Sequence, residues 1–171
     1  MGKCAYCGSI IFGGVKHNDK RFCNIACRDK ALMPSYLEQA PAEAVEKYIE
    51  EVHSGHCPIC GGPGPVDVYI SYRVWSALVV THREKTPRIS CKSCGKKEKL
   101  SAALFSFFFG WWGFPWGFIF TPAGIYWNLS NLSESPDPSK PSPHLIALLE
   151  EKMATEIMWA KRREANKHAE G

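Results

Sequence analysis

Eight cysteines carry most of the chemistry in this sequence, and they fall in four close pairs: Cys4/Cys7, Cys23/Cys27, Cys57/Cys60 and Cys91/Cys94. Thiolates are soft ligands, and pairs spaced this closely can set two sulfurs on one ion. Disulfides are the competing use. The opening "MGKCAYCGS" has no apolar run, which reads as no signal peptide and a cytoplasmic, reducing location. In that setting all eight cysteines are expected to be metal ligands, for two Zn2+ per chain. Four thiolates close the coordination sphere of zinc and leave no position for activating water, so both sites are expected to be structural. Iron shares the tetrahedral sulfur geometry and is the competing metal. Ser, His and Asp occur without a nucleophile elbow or a phosphate loop. No catalytic residue, no enzymatic activity and no small-molecule substrate are therefore expected.

The residues around the pairs say how they are held. In "CAYCG", Gly8 follows the second cysteine, where a tight turn needs positive φ. In "FCNIACRDKAL", Cys23 and Cys27 are spaced to share one side of a helix start, where the dipole favours thiolate. This arrangement resembles a treble-clef zinc finger. Its spacing is similar to that of the small zinc proteins that inhibit bacterial gyrase, a likeness that implies zinc over about 30 residues and no gyrase activity. "CPICGG" and "CKSCGK" each place a glycine, Gly61 and Gly95, after the second cysteine. Between them "VDVYISY" alternates Val66, Val68, Ile70 and Tyr72 as a strand. "RVWSALVV" is expected to continue as a second strand, with "HREKT" and "PRIS" turning the chain back toward Cys91. Two turns flanking a two- or three-stranded ribbon look like a zinc ribbon.

Ligand pairing can be sequential or cross-braced, with Cys4/Cys7 sharing a metal with Cys57/Cys60. Sequential pairing closes shorter loops and is preferred on entropy. His17 and His56 are alternative ligands that four cysteines per site make unnecessary.

The organisation follows as α+β: a treble-clef-like finger over 1–33, a connecting helix within 34–56, a zinc ribbon over 57–99, an uncharged aromatic-rich helical hairpin over 100–133, a Pro/Ser-rich linker over 134–143 and an amphipathic helix over 144–171. The connecting helix has Pro41 in its first turn, Gly55 past its end, and an apolar stripe of Ala44, Val45, Tyr48, Ile49 and Val52. The last helix repeats Leu145, Leu148, Leu149, Met153, Ile157 and Ala160.

The formal charge is +4, which two tetrathiolate zinc sites would bring to about zero. The basic excess is local: residues 57–99 hold eight Lys/Arg against three Asp/Glu. Arg83, Arg88, Lys92, Lys96 and Lys97 are the residues expected to meet nucleic acid or an anionic surface. From Leu100 to Ser133 there is no charge at all. The expected pair of helices runs from near Lys99 to Gly110, and from Thr121 as cap with Pro122 in the first turn. The first would be only about 18 Å long, too short to span a bilayer of about 30 Å. Trp111, Trp112, Phe114, Trp116 and Phe118 at the bend are expected to meet a membrane or a partner. Three uses stand open: a monotopic anchor, a cover folded back onto the ribbon and the C-terminal helix, or a surface joining copies in an oligomer.

Taken together, "FCN..C", "CPICGGPGPVDV", "SYRVWSAL" and "LFSFFFGWWGFPWGFIFTP" resemble a group of bacterial proteins with a short finger, a zinc ribbon and a "GWWGFPWG" segment. The resemblance implies zinc and two small modules, with no activity to carry over. The leading expectation is a zinc-binding adaptor or interaction protein with a protein partner or a membrane surface, peripheral or monotopic at the cytosolic face. The alternative is a regulatory nucleic-acid-binding protein that uses residues 83–99.

Overall fold

The computed structural model describes residues 2–132 and 136–169, with side chains through Lys167. Met1 of the expected finger, Ser133 of the expected hairpin, Glu134 and Ser135 of the expected linker, and the last two residues of the expected C-terminal helix lie outside the described residues. The fold is α+β, with small sheets and helices in two compact units: Met1–Lys47 with Ala147–Gly171, and Tyr48–Ile146.

In the first unit, β1 (Gly2–Lys3) pairs with β2 (Ile10–Ile11), and β3 (Val15–His17) pairs with β4 (Lys20–Phe22). Asn18 and Asp19 make the β3–β4 turn at positive φ, which their short polar side chains tolerate. Helix α1 (Ile25–Leu37) begins where Asn24 Oδ1 accepts the Cys27 N–H at 2.9 Å, an N-cap that satisfies one of the helix's unpaired donors. Among the described residues, Cys4, Ile11 and Phe22 form the buried cluster around this cysteine group, with Cys23, Cys27 and Ala31 against it. So little apolar burial cannot hold four two- to three-residue strands without help. Arg162 lies 2.5 Å from Asp29, and Arg28 2.9 Å. Burial raises the Asp29 carboxyl, but the two guanidinium groups outweigh it and hold the pKa below the usual range.

Helix α2 (Ala42–Ser54) ends at Gly55 as its sequence signals require, and it buries Ile49 and His53.

The second unit is built on one long hairpin, β5 (Val66–Ala77) against β6 (Val80–Cys91), in register from Val66↔Cys91 to Ala77↔Val80. The ribbon is thus two-stranded, and "HREKT" and "PRIS" lie within β6. The chain turns at Leu78, φ 53, and Val79, residues without a turn signature. Helix α3 (Lys92–Phe109) follows β6 directly and begins well before Lys99, while its end at Gly110 is where the sequence places it. Helix α4 (Trp116–Ser130) begins after Pro115, so Thr121 and Pro122 sit inside it rather than at its cap. The reason is packing: Thr121 is fully buried, and its Oγ1 lies 2.1 Å from where a Cβ on Gly110 would be.

Helices α3 and α4 pack on β5 and on each other, with their polarity inverted. They bury Ala102, Ala103, Ser106, Gly117, Thr121, Gly124 and Asn128, and they expose Phe107, Phe108, Phe109, Trp116, Phe118 and Trp127. Buried polar groups complete the outer edge of β5. The Tyr72 N–H donates to Asn128 Oδ1 at 2.9 Å, and Asn128 Nδ2 donates to the Tyr72 carbonyl at 2.6 Å. Next along the edge, the Val74 N–H donates to Ser106 Oγ at 2.9 Å, and that hydroxyl donates to the Ala102 carbonyl at 2.8 Å. Two side chains thus stand where a third strand would otherwise be needed. Among the described residues, no helix is long and apolar enough to cross a membrane.

Helix α5 (Pro143–Ala169) starts with Pro at its first position, after Ser142. Ser142 Oγ accepts the Leu145 N–H at 3.2 Å and donates to the buried Asp67 carboxylate at 2.5 Å. Its buried positions are Leu145 and Leu149, on one face of the helix, and Ala154 and Met158, which at 100° per residue lie on the opposite face.

Candidate metal centres

Each cysteine cluster is assembled from one tight turn and one helix start. In the first, the Gly8 N–H donates to the Cys4 carbonyl at 3.0 Å and closes the turn, with Gly8 at φ +73. The Cys23 N–H then donates to Cys4 Sγ at 3.4 Å, and Cys27 stands in the first turn of α1. The second repeats the design. The Gly61 N–H donates to the Cys57 carbonyl at 2.8 Å with Gly61 at φ +68, and the Cys91 N–H donates to Cys57 Sγ at 3.2 Å. Cys91 occupies the N-cap position of α3 without a side-chain cap bond, and Cys94 lies in the first turn. Cys91 and Cys94 therefore do not form a second tight turn. Gly95 is a helical residue under the Tyr69 ring, where an added Cβ would fall 2.2 Å from Tyr69 Cγ.

The sulfurs group sequentially, as Cys4, Cys7, Cys23 and Cys27 and as Cys57, Cys60, Cys91 and Cys94. Within each group all four Sγ atoms lie within 4.8 Å of one another. Cys7 and Cys23 are 3.3 Å apart and Cys60 and Cys91 3.8 Å, too far for an S–S bond of about 2.05 Å. A tetrahedral zinc with Zn–S of about 2.3 Å sets its sulfurs about 3.8 Å apart, so both groups are compatible with one zinc each. His17, on β3, and His56, beside Cys57, belong to neither group.

Charge explains why such a group needs a cation. The Cys4 thiol is lowered to about 6, first by the Cys7 backbone N–H and then by those of Cys23 and Tyr6. At Cys57 burial opposes ionisation, yet the N–H groups of Cys91, Cys60 and Ile59 outweigh it and bring the thiol to about 6. The last thiols to ionise hold their protons in hydrogen bonds to neighbouring sulfurs. Cys23 is pushed up to about 12, chiefly by Cys7 and Cys4, and Cys94 to about 12, chiefly by Cys60. A dication replaces those shared protons by metal–sulfur bonds, which is the chemistry of a tetrathiolate site.

The residues expected to meet an anionic surface lie on one run of structure. Arg83 and Arg88 are on β6, and Lys92, Lys96 and Lys97 are in the first turns of α3. Arg83 stacks 4.1 Å over the Phe120 ring, and Arg88 is 3.9 Å from Glu98. Trp111, Trp112 and Phe114 connect α3 to α4, and Trp116 and Phe118 open α4. All but the half-buried Trp111 are exposed.

Sequence reasoning missed three features. His53 is buried, with Nδ1 2.8 Å from the Val66 carbonyl, although its position on the apolar side of α2 is legible in the helical period. Asn128 sits in a wholly apolar context and gave no sign of its role on β5. Leu78 and Val79 read as strand and proved to be the turn. Comparison of the chain with protein-family models, with curated proteins and with solved structures finds no match in any of the three, and the resemblance to the bacterial group gains no support from them.

Proposed function

We propose that this chain is a non-enzymatic zinc protein that works as an adaptor at the surface of a membrane, with residues 100–133 as its attachment. In this reading the two tetrathiolate sites hold structural zinc. The first is a treble-clef-like finger, and the second is a zinc ribbon whose last pair of ligands has been drawn onto a helix start. The observation that carries the attachment is the inverted polarity of α3 and α4, with small and polar residues inside and aromatics outside. Water penalises that arrangement by exposing apolar area, whereas packing through small residues is how helices associate where the surroundings are lipid. Among the described residues no helix is both long and apolar enough to span, so the attachment in this reading is monotopic, at the cytosolic face.

Fractionation of untagged protein tests this directly. The expected result is recovery with membranes through a carbonate wash and release by detergent; a wholly soluble protein removes the anchor. Nucleic-acid binding through Arg83, Arg88, Lys92, Lys96 and Lys97 is the second reading, favoured by their placement along one strand and one helix start. It would weaken steeply with added salt, where hairpin anchoring would not.

A further inference from the structure

The geometry points to a wedge that enters a single leaflet and is selected by anionic phospholipid headgroups, with the β5–β6 turn as part of its leading edge. This rests on the anchor reading above and extends it to a segment outside 100–133 and to a lipid class. The Phe114 N–H donates to the Leu78 carbonyl at 3.0 Å, and Leu78 bridges Gly113, so the strand turn and the helix connection form one tip. That tip is apolar and open: Leu78 is 83% exposed, Val79 78% and Phe114 75%.

Its depth matches half a bilayer. No Asp, Glu, Lys or Arg occurs from Val74 to His82 or from Leu100 to the end of α4. Val74 to Leu78 rises about 13 Å as strand, and Leu100 to Phe109 about 14 Å as helix. One leaflet of hydrocarbon is about 15 Å thick, half of a core of about 30 Å. Backbone groups at such depth must be paired within the protein. The bonds of Tyr72 to Asn128 and of Val74 to Ser106 do this for the outer edge of β5 where it enters.

Immediately above the uncharged tip the charge turns basic. Arg83 and Lys85 follow the uncharged stretch directly, and of the seven Lys/Arg in residues 83–99 Lys99 alone is buried. One of the two Asp/Glu there, Glu98, is engaged by Arg73 at 2.7 Å. Arg83 lies at the register of Val74 and the exposed Lys85 at that of Tyr72, which places both at headgroup height when the tip is buried. A basic collar above an apolar wedge complements an anionic leaflet better than it does a second copy of the same basic surface.

The test is flotation of the full-length zinc-loaded protein with vesicles of phosphatidylcholine alone, or of the same lipid with phosphatidylserine added. Binding to the anionic vesicles with a blue shift of tryptophan emission, and weak binding to the neutral ones, is expected. Arg83→Ala with Lys85→Ala should lower anionic partition about thirtyfold. Val79→Asp, at a fully open turn, should lower it about a hundredfold with zinc content unchanged. Equal binding to both vesicles overturns the headgroup selection and leaves the anchor standing. Unchanged binding by Val79→Asp overturns the wedge. Binding to neither vesicle, with elution as a soluble oligomer, removes the wedge and the anchor together.

Discussion

The two cysteine clusters share a scaffold and differ in everything around it. In both, a glycine at positive φ closes a turn, the third cysteine's N–H reaches the first cysteine's sulfur, and the fourth cysteine rides on a helix start. The first is surrounded by strands of two and three residues and a cluster of three buried side chains. The second sits at the base of a hairpin with twelve residues in each strand, braced by two helices. With zinc bound as proposed, the same ligand set would have two different jobs. It would supply the core around the first cysteine group, and in the second it would tie down one end of a structure with internal support of its own.

The sharpest way to break this contrast is to remove one ligand from each cluster. Cys27→Ser should cost one zinc per chain and abolish amide protection throughout residues 2–37. Cys57→Ser should cost one zinc as well, yet leave Val68–Val74 protected from hydrogen exchange. Equal loss in both variants would defeat the distinction.

Proton release is the next effect in size. With Cys23 and Cys94 pushed up to about 12, both are thiols at neutral pH until metal binds. Each proton must leave before its sulfur can coordinate, so acid favours the metal-free site and zinc affinity falls as pH falls. Calorimetry in two buffers of different ionisation enthalpy should register proton release at both sites; its absence at either would argue against four thiolates there.

Smaller effects probe the support of the second module. Asn128→Ala would leave the Tyr72 N–H and carbonyl unpaired in a part-buried setting, at a cost of about 2 kcal/mol in chemical denaturation. A change under about 0.5 kcal/mol would mean that water replaces the amide. Smallest, Asn24→Ala removes the cap on α1 and should cost about 1 kcal/mol. That loss should be visible only with zinc bound, because the metal-free first module has little order left to lose.

Local signals in this chain were legible because they are local. Cysteine spacing with Gly8 and Gly61 marks the turns, Pro41 and Gly55 bracket α2, and Gly110 ends α3. Where prediction failed, a distant contact had overruled a local rule. Thr121 and Pro122 read as a helix start, but Thr121 packs against Gly110 and the helix begins one and a half turns earlier, at Trp116. "HREKT" reads as a turn by its polarity, yet it pairs residue by residue with "SYRVW" of β5, and the turn falls at Leu78 instead. Gly95 reads as a second knuckle glycine, and it is glycine because the Tyr69 ring lies on it.

The division between chain and fold has a physical cause. Ligand type and count, the α+β content and the absence of charge over 100–133 follow from residue identity and short-range spacing, since a chelating pair or a helix cap involves neighbours only a few positions apart. The direction in which that uncharged segment faces is a property of packing. Aromatics on α3 and α4 could have turned toward the hairpin or away from it. They turn away because the edge of β5 needs hydrogen-bonding partners at close range, and only small and polar residues, Ser106, Gly117, Gly124 and Asn128, can approach it.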